Sequence, residues 1–355
     1  RAAAPRARRV DHRAAQFSHA RYGAACLIVW TARSLSVVTV VALVAYLFLA
    51  VHFATRPLAF ALWLVAMPVL YFAAIAVLTA LYFTGAWIFR ARRPPAMRIG
   101  GRATVRLVWE EYRALAGAPP RLIFYRRFVP DPLPAPVAVP VLLVHGVLCN
   151  AGVWTRFARF LRRQGIDGVY SLSYGPPLAS IESFAAQLAA KIDDIIAATN
   201  ARSVAIVAHS MGGLVTRAYL RRHGHARIAR VLTIGSPHHG SMFAWFFPGV
   251  SLAQMRPGND WLAELNRLRL DPALRFVSLW SWHDSMVAPQ TSSELPGAVD
   301  VVLRGVGHNA LLGDDSVFAF ALGEIVAARE EAQRAPTRAS GARAQPALAG
   351  QGQAG

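Results

Sequence analysis

The sequence predicts an α/β protein that begins with two membrane-spanning helices. Two consecutive stretches, 34–54 and 57–89, contain no Asp, Glu, Lys or Arg, and each is long enough to cross the core of a bilayer. After Arg102 short apolar runs alternate with amphipathic stretches. Such alternation is typical of a mostly parallel sheet that is covered by helices on both faces.

The composition also indicates that part of the chain lies in lipid. Of the 355 residues, 55% are hydrophobic and only 16% are charged. A typical soluble domain has about 25% charged residues. The two cysteines, Cys26 and Cys149, have neither the number nor the spacing of a disulfide framework or a metal site.

The formal net charge of +19 raises the question of nucleic-acid binding. Among the 38 Lys and Arg residues, only Lys191 is a lysine. This bias, together with much alanine and glycine, indicates a GC-rich coding sequence. No basic helix carries interleaved aromatic residues, and no zinc-finger or RNA-binding signature occurs. We therefore predict no nucleic-acid partner.

The N-terminal third is predicted to be a basic arm followed by a membrane hairpin. Residues 1–33 form the arm, which also has the composition of a transit peptide. The hairpin covers 34–95, with helices at about 34–54 and 68–89 and a turn near Thr55–Pro57.

The arginines predict how the hairpin is oriented. Several arginines precede the first helix and several follow the second, whereas only Arg56 lies between the two. The positive-inside rule then places both flanks in the cytoplasm. We expect a bacterial inner-membrane protein whose main domain faces the cytoplasm.

The main domain is predicted to cover 96–330 and to be followed by a disordered tail at 331–355. Six segments have the pattern of buried strands, and they lie at 139–146, 168–175, 203–210, 230–237, 275–284 and 299–308. Helical patterns lie between them, and Ser180 with Ser183 is a candidate cap for one of these helices.

Ser210 is the candidate nucleophile. It lies in SVAIVAHSMGG, where a predicted strand passes directly into a predicted helix. A nucleophile elbow needs small residues two positions before and after the serine, because the tight turn brings the flanking backbone close to it. Ala208 and Gly212 meet this need. The motif alone also fits an ordinary strand-to-helix turn.

A serine nucleophile needs a base, and the base needs an orienting acid. Among the histidines after Ser210, only His308 follows the last predicted strand, whereas His238 and His239 come too early. Asp284 ends the strand before it. The chain order Ser, Asp, His is the order used by one widespread hydrolase architecture.

Backbone N–H groups are expected to hold the oxyanion. One belongs to Met211, directly after the nucleophile, and the other to Val147, which follows an early strand in VLLVHG. His145, Gly146 and His209 are expected to border the substrate.

The segment 241–268 interrupts the alternation of strands and helices with bulky apolar residues. We interpret it as a lid or acyl-chain wall, with Phe243, Trp245 and Phe246 as candidate substrate contacts. A buried cap helix is the alternative.

Together these segments resemble a known family. VLLVHG, AHSMGG, DSMVAP and GHNALL are similar to motifs of the α/β-hydrolase fold, in its bacterial triacylglycerol lipase and esterase branch, and TIGSPHHGS is similar to the segment after its nucleophile helix. The similarity covers about 139–328 and leaves out the hairpin. Ala208 departs from the more common glycine.

The resemblance implies that Ser210 is the nucleophile, His308 the general base and acid, and Asp284 the orienting acid, with Val147 and Met211 as oxyanion donors. Some lipases of this branch hold a calcium ion near the triad histidine. Asp314 and Asp315 are nearby, but no matching ligand set exists, so we predict no metal and no cofactor.

The sequence therefore predicts a membrane-anchored serine hydrolase that cleaves lipid-like carboxylic esters. Its expected partners are the ester substrate and the bilayer, and the sequence leaves the oligomeric state open. Two alternatives remain. The same triad serves acyltransferases and acyl-thioesterases, and an inactive membrane scaffold would keep the same fold.

Overall fold

Two long apolar helices begin the structure, a computed structural model that describes residues 30–53 and 56–334. They are α1 (Trp30–Phe53) and α2 (Pro57–Ile88). Both are long and apolar enough to cross a membrane, and only 6% of their most apolar stretches is buried against protein. The Tyr46 hydroxyl donates to the Trp63 carbonyl and links the two helices. The predicted arm lies almost wholly outside the described residues.

The second helix differs from the prediction, which began it at about residue 68. The structure has one continuous helix of 32 residues from Pro57. Proline suits the first helical turn because its φ is preset and its missing N–H is not needed there. Pro68 lies inside the helix, where an apolar membrane-type helix tolerates it. At 1.5 Å per residue the helix is roughly 48 Å long, more than the roughly 30 Å of a bilayer core.

The domain that follows is built on a six-stranded parallel sheet. Its strands are β1 (Val141–Val144), β2 (Val169–Leu172), β3 (Val204–His209), β4 (Ile228–Ile234), β5 (Arg275–Ser281) and β6 (Val299–Leu303). They lie in the order β2-β1-β3-β4-β5-β6, and every neighbouring pair is parallel. Each predicted strand segment overlaps one of them, so the predicted fold class is confirmed.

Both faces of the sheet are buried, which explains the continuous apolar strands. In β1, Leu142 and Val144 belong to one hydrophobic cluster, whereas Val141 and Leu143 belong to another. Successive side chains of a strand point to opposite faces, so the two clusters are the two sides of the sheet. All four side chains are fully buried.

Helices cover both sides of the sheet. Before β1 come α3 (Gly101–Ala116), α4 (Ala118–Ile123) and α5 (Tyr125–Phe128), and after it α6 (Thr155–Arg163), α7 (Ile181–Thr199), α8 (Met211–His223), α9 (Val250–Gln254), α10 (Asp260–Leu265) and α11 (Asp315–Arg334). The first cluster packs α7 and α8 on the sheet, and the second packs α6 and α11. The Ser180 side chain caps α7 by accepting from the Ser183 N–H at 3.2 Å, as predicted.

Two boundaries refine the predicted domain limits. The helix α11 continues to Arg334, so the first residues of the predicted tail are helical, and 335–355 lie outside the described residues. The segment 241–268 contains a 3₁₀ turn at Met242–Trp245 and the short helices α9 and α10. It leaves the sheet after β4, at the edge where the parallel strands end.

Candidate active site

Ser210 lies in a sharp turn between β3 and α8. Its backbone has φ 55° and ψ −129°, a conformation that residues other than glycine rarely adopt. Its N–H donates to the Ile234 carbonyl at 2.9 Å, which fixes the turn against β4. Because α8 begins at the next residue, the partial positive charge of the helix N-terminus lies beside the serine.

Glycines on either side of this turn leave room for it. A Cβ on Gly212 would lie 2.6 Å from the Val144 carbonyl oxygen and 2.7 Å from that of His145. A Cβ on Gly146 would lie 2.8 Å from the Ser210 Cβ. Neither position can carry a side chain without moving backbone, so the predicted role of Gly212 is confirmed.

Asp284 and His308 form a buried pair at the same edge of the sheet. The His308 Nδ1 lies 2.8 Å from the Asp284 Oδ2, and the two side chains are only 3% and 2% exposed. The other carboxylate oxygen accepts from the N–H groups of Met286 and Val287, at 2.8 and 2.7 Å. The carboxylate is therefore fixed on both sides, and it orients the imidazole ring.

The pair lies next to the Ser210 turn. Gly235 follows Ile234, whose carbonyl accepts from the Ser210 N–H. A Cβ on Gly235 would lie 3.1 Å from Asp284 Oδ2 and 3.3 Å from His308 Nδ1. Within the described residues, Ser210 Oγ makes no hydrogen bond to the imidazole. Such bonds are often loose in substrate-free sites and tighten when substrate binds.

The charges around His308 set its protonation. Burial alone would lower the pKa of His308, but the Asp284 carboxylate and its hydrogen bond, with a further contribution from the charge of Glu111, raise the pKa above its usual value. The net effect favours the protonated imidazole, the form that arises when a base has taken up a proton.

Two backbone N–H groups lie free beside Ser210. Among the described residues, none accepts a hydrogen bond from the N–H of Val147 or of Met211. Met211 is the first residue of α8, and Val147 follows Gly146, which touches the serine. Free donors on both sides of a nucleophile are what an oxyanion hole requires.

His145 holds the backbone of this loop. Its Nε2 accepts from the Tyr174 N–H at 3.3 Å, so its Nδ1 carries the hydrogen and donates to the Gly146 carbonyl at 2.7 Å. Burial lowers the pKa of His145 to about 4, so the ring is neutral. Both ring nitrogens are in use within the protein, and the expectation that His145 borders the substrate stays a prediction.

His209, like His145, is a buried histidine that binds backbone next to the Ser210 turn. Its Nε2 lies 3.2 Å from the His308 carbonyl oxygen, and the two imidazole rings are 4.6 Å apart. A carbonyl only accepts, so Nε2 donates, and the ring fixes the backbone at His308. The expectation that His209 borders the substrate stays a prediction; its Nδ1 is buried without a hydrogen-bond partner among the described residues.

Comparison with known proteins bears on the same region. The profile of the palmitoyl protein thioesterase family matches residues 140–260, which include the Ser210 turn. Triacylglycerol lipases from Pseudarthrobacter phenanthrenivorans and Burkholderia plantarii are each 44% identical over 64 residues, 18% of this chain. The match spans only 20% and 18% of those two proteins. The sheet order, the strained serine and the aspartate–histidine pair agree with these similarities. The chain has the α/β-hydrolase fold.

Solved structures with distant similarity to this chain include two lipases. The mature lipase BlEst2 of Bacillus licheniformis is 19% identical with a TM-score of 0.48, over 54% of this chain and 95% of that one. Lipase B of Aspergillus fumigatus is 20% identical with a TM-score of 0.43, over 52% and 51%.

The domain also contains a buried acid that the sequence motifs do not mark. Glu111 on α3 is fully buried, and its carboxylate lies against the loop that follows His308. Leu107, four residues earlier on the same face of α3, is also buried, but only the structure shows that this face is covered.

Aromatic side chains of the 241–268 segment lie at the end of α2. The Phe243 ring is 6.0 Å from that of Tyr82, and the Phe246 ring is 6.2 Å from that of Phe89, the residue after α2. The exposed fraction is 54% for Trp245, 63% for Phe246 and 44% for Phe247. The segment thus continues the apolar surface of α2 and is not a fully buried cap.

Gly212→Ala is predicted to destabilise the protein by about 1–3 kcal/mol, because its methyl group would displace packed backbone. Gly323→Ala in α11 is the matched control, since a Cβ there meets nothing within 4 Å. The control should stabilise by about 0.5–1 kcal/mol, the difference in helix propensity. Urea unfolding in detergent micelles measures both. If the free energy of unfolding changed by the same amount and with the same sign in both variants, the crowding at Ser210 would be contradicted.

Proposed function

We propose that this chain is a membrane-anchored serine hydrolase that cleaves carboxylic esters of lipid-like substrates. The observation that carries the proposal is the strained Ser210 turn at the same sheet edge as the buried Asp284–His308 pair. Strain of this kind costs free energy and persists where a turn is held by its surroundings, often at functional sites.

In the proposed reaction Ser210 Oγ attacks the ester carbonyl while His308 Nε2 takes its proton. Asp284 keeps the ring oriented and stabilises the imidazolium. The imidazolium then gives the proton to the departing alkoxide, which leaves an acyl group on Ser210. Water attacks this acyl-enzyme with His308 again as base, and the carboxylic acid and the free serine are formed.

The negative charge of the tetrahedral intermediate would be held by the N–H groups of Val147 and Met211. Each such donor typically contributes roughly 3–4 kcal/mol to transition-state stabilisation. His145 supports this role, because its hydrogen bond to the Gly146 carbonyl fixes the loop that carries the Val147 N–H.

The lipid-like substrate class is supported by the apolar surroundings of the site. Phe243, Trp245 and Phe246 would line the path between the end of α2 and Ser210. If α1 and α2 span a bilayer, these rings lie at its surface, where acyl chains are available. We place the domain on the cytoplasmic side of a bacterial inner membrane, because arginines flank the hairpin on both sides.

An acyl-thioesterase is the second candidate. The match to the palmitoyl protein thioesterase profile favours it, and the same residues would serve it unchanged. The leaving group would then be a thiolate in place of an alkoxide. Rates of one preparation on palmitoyl thioester and palmitoyl ester substrates, compared at equal concentration, distinguish the two.

Ser210→Ala is expected to lower p-nitrophenyl butyrate hydrolysis by at least roughly 10³-fold, because the attacking oxygen is lost. A fluorophosphonate probe should label the wild type and not the variant. Ser203→Ala, directly before β3, is the control and should behave as wild type. Full activity in Ser210→Ala would refute the mechanism, and an unlabelled, inactive wild type would favour the scaffold.

The acid limb of the kcat/KM profile should lie above about pH 6.5, the usual imidazole value, because the pKa of His308 is raised and the base works only when unprotonated. Asp284→Asn removes the main cause of that rise. Its limb should move to lower pH, and its kcat should fall about 10⁴-fold, the loss measured in another Ser-His-Asp enzyme. The exposed Asp315→Asn should leave the profile unchanged; an unmoved limb in Asp284→Asn would contradict the assignment.

Phe246→Ala is expected to slow hydrolysis of p-nitrophenyl palmitate in vesicles about 3- to 10-fold, while hydrolysis of the butyrate ester stays constant. The removed ring would otherwise contact the long acyl chain. Val326→Ala, an exposed apolar residue on α11, is the control. Equal rates on the long ester in both variants would argue against the lid interpretation.

A further inference from the structure

Glu111 lies in α3, the first α-helix after the two long apolar helices. Its side chain is 0% exposed, although it belongs to an otherwise amphipathic helix and is separated from His308 by almost two hundred residues. It also lies outside the matched family region of 140–260. A buried carboxylate is costly unless its oxygens are hydrogen-bonded, so its partners are informative.

Four donors converge on this carboxylate. The Asn309 N–H lies 3.1 and 3.0 Å from the two oxygens, and the Asn309 side-chain amide lies 2.8 Å from Oε1. The Ala310 N–H lies 2.9 Å from Oε2, and the Ser285 hydroxyl donates to Oε1 at 2.7 Å. All four groups donate, so both oxygens act as acceptors, as in a carboxylate.

These donors belong to the residues next to the catalytic pair. Asn309 and Ala310 directly follow His308, and Ser285 directly follows Asp284. The Ser285 Oγ also lies 3.4 Å from the His308 N–H, so the hydroxyl bridges Glu111 to the histidine backbone. A Cβ on Gly307 would lie 2.5 Å from Glu111 Oε2, so the loop approaches the carboxylate on that side too.

We propose that Glu111 is a positioning residue, which holds the His308 loop in register with Asp284 and adds a fixed negative charge next to that loop. This inference rests on the proposed function, in which His308 is the base. It makes the helix next to the membrane part of the active site, because one of its side chains fixes the histidine.

The charge of Glu111 acts in the same direction as that of Asp284. Burial lowers the pKa of His308, whereas Asp284 and then Glu111 raise it. The titratable groups that face His308 are Asp284, His209 and Glu111, and burial lowers the pKa of His209 well below its usual value, so that ring stays neutral. The two carboxylates are thus the groups that stabilise the imidazolium.

Glu111→Gln tests the proposal, with Glu110→Gln as the matched control. Glu110 is the preceding residue on the same helix and makes an exposed ion pair with Arg113. In Glu111→Gln the amide NH₂ faces backbone donors, so the loop loses acceptors as well as the charge. We expect kcat to fall about 10- to 100-fold, as for small misplacements of catalytic groups, with KM within about twofold. The acid limb should move to lower pH.

A conservative variant separates the effect of the Glu111 charge from the effect of its side-chain length. Glu111→Asp keeps the carboxylate but shortens the side chain by one methylene. Its acid limb should stay close to that of the wild type, while its kcat falls less than in Glu111→Gln. A purely structural role would lower the melting temperature of both variants and leave both pH profiles where they are.

Amide hydrogen exchange of the 305–313 loop gives a readout that does not depend on activity. Exchange should be faster in Glu111→Gln than in the wild type and unchanged in Glu110→Gln. If the wild type hydrolyses no ester, the proposed function fails, and this measurement still decides whether Glu111 holds the loop. Unchanged exchange, kcat and acid limb in a folded Glu111→Gln protein would overturn the proposal.

Ser285→Ala serves if Glu111→Gln does not fold. It removes the hydroxyl that bridges Glu111 and the His308 N–H but keeps both carboxylates. We expect faster loop exchange and a smaller loss of kcat, with the acid limb unmoved because the charges remain. Exchange and kcat equal to those of the wild type would count against the bridge and against the proposal.

Discussion

The close approach of backbone segments at Ser210 sets the geometry of the whole sheet edge. β3 must end and α8 must begin within one residue, while the Gly146 loop lies against the serine and β4 binds its N–H. These constraints leave no space for side chains at Gly146 and Gly212. The cost is a strained φ at Ser210, and the surrounding hydrogen bonds and the packed sheet hold it in place.

The same crowding explains why much of the site could be predicted from sequence. A turn that tolerates only small residues leaves a local pattern, here AHSMGG, and the parallel strands bring the loops after β5 and β6 to the same edge. Asp284 and His308 could therefore be located by their place after a strand, and the structure joins them at 2.8 Å.

Other features left no such pattern. Glu111 is defined by partners far away in the sequence, and a glutamate on a helix is normally a solvated residue. His145 and His209 stand beside the turn, and the sequence suggested substrate contact there. It could not show that both ring nitrogens of His145, and Nε2 of His209, bind backbone. The start of α2 was misplaced because Pro68 marks a helix start as readily as it occurs inside an apolar helix.

At Gly85, α2 and the 241–268 segment are in direct contact, so a movement of the helix would move the segment. A Cβ at this position would lie 2.7 Å from the Phe243 ring, so the helix and the aromatic segment touch without any intervening side chain. A helix longer than the bilayer core tilts, and its tilt depends on bilayer thickness. If α2 spans a membrane, a change in lipid chain length would change the tilt of α2 and so move its contact with Phe243. The thickness of the membrane would then affect the position of the 241–268 segment relative to the sheet.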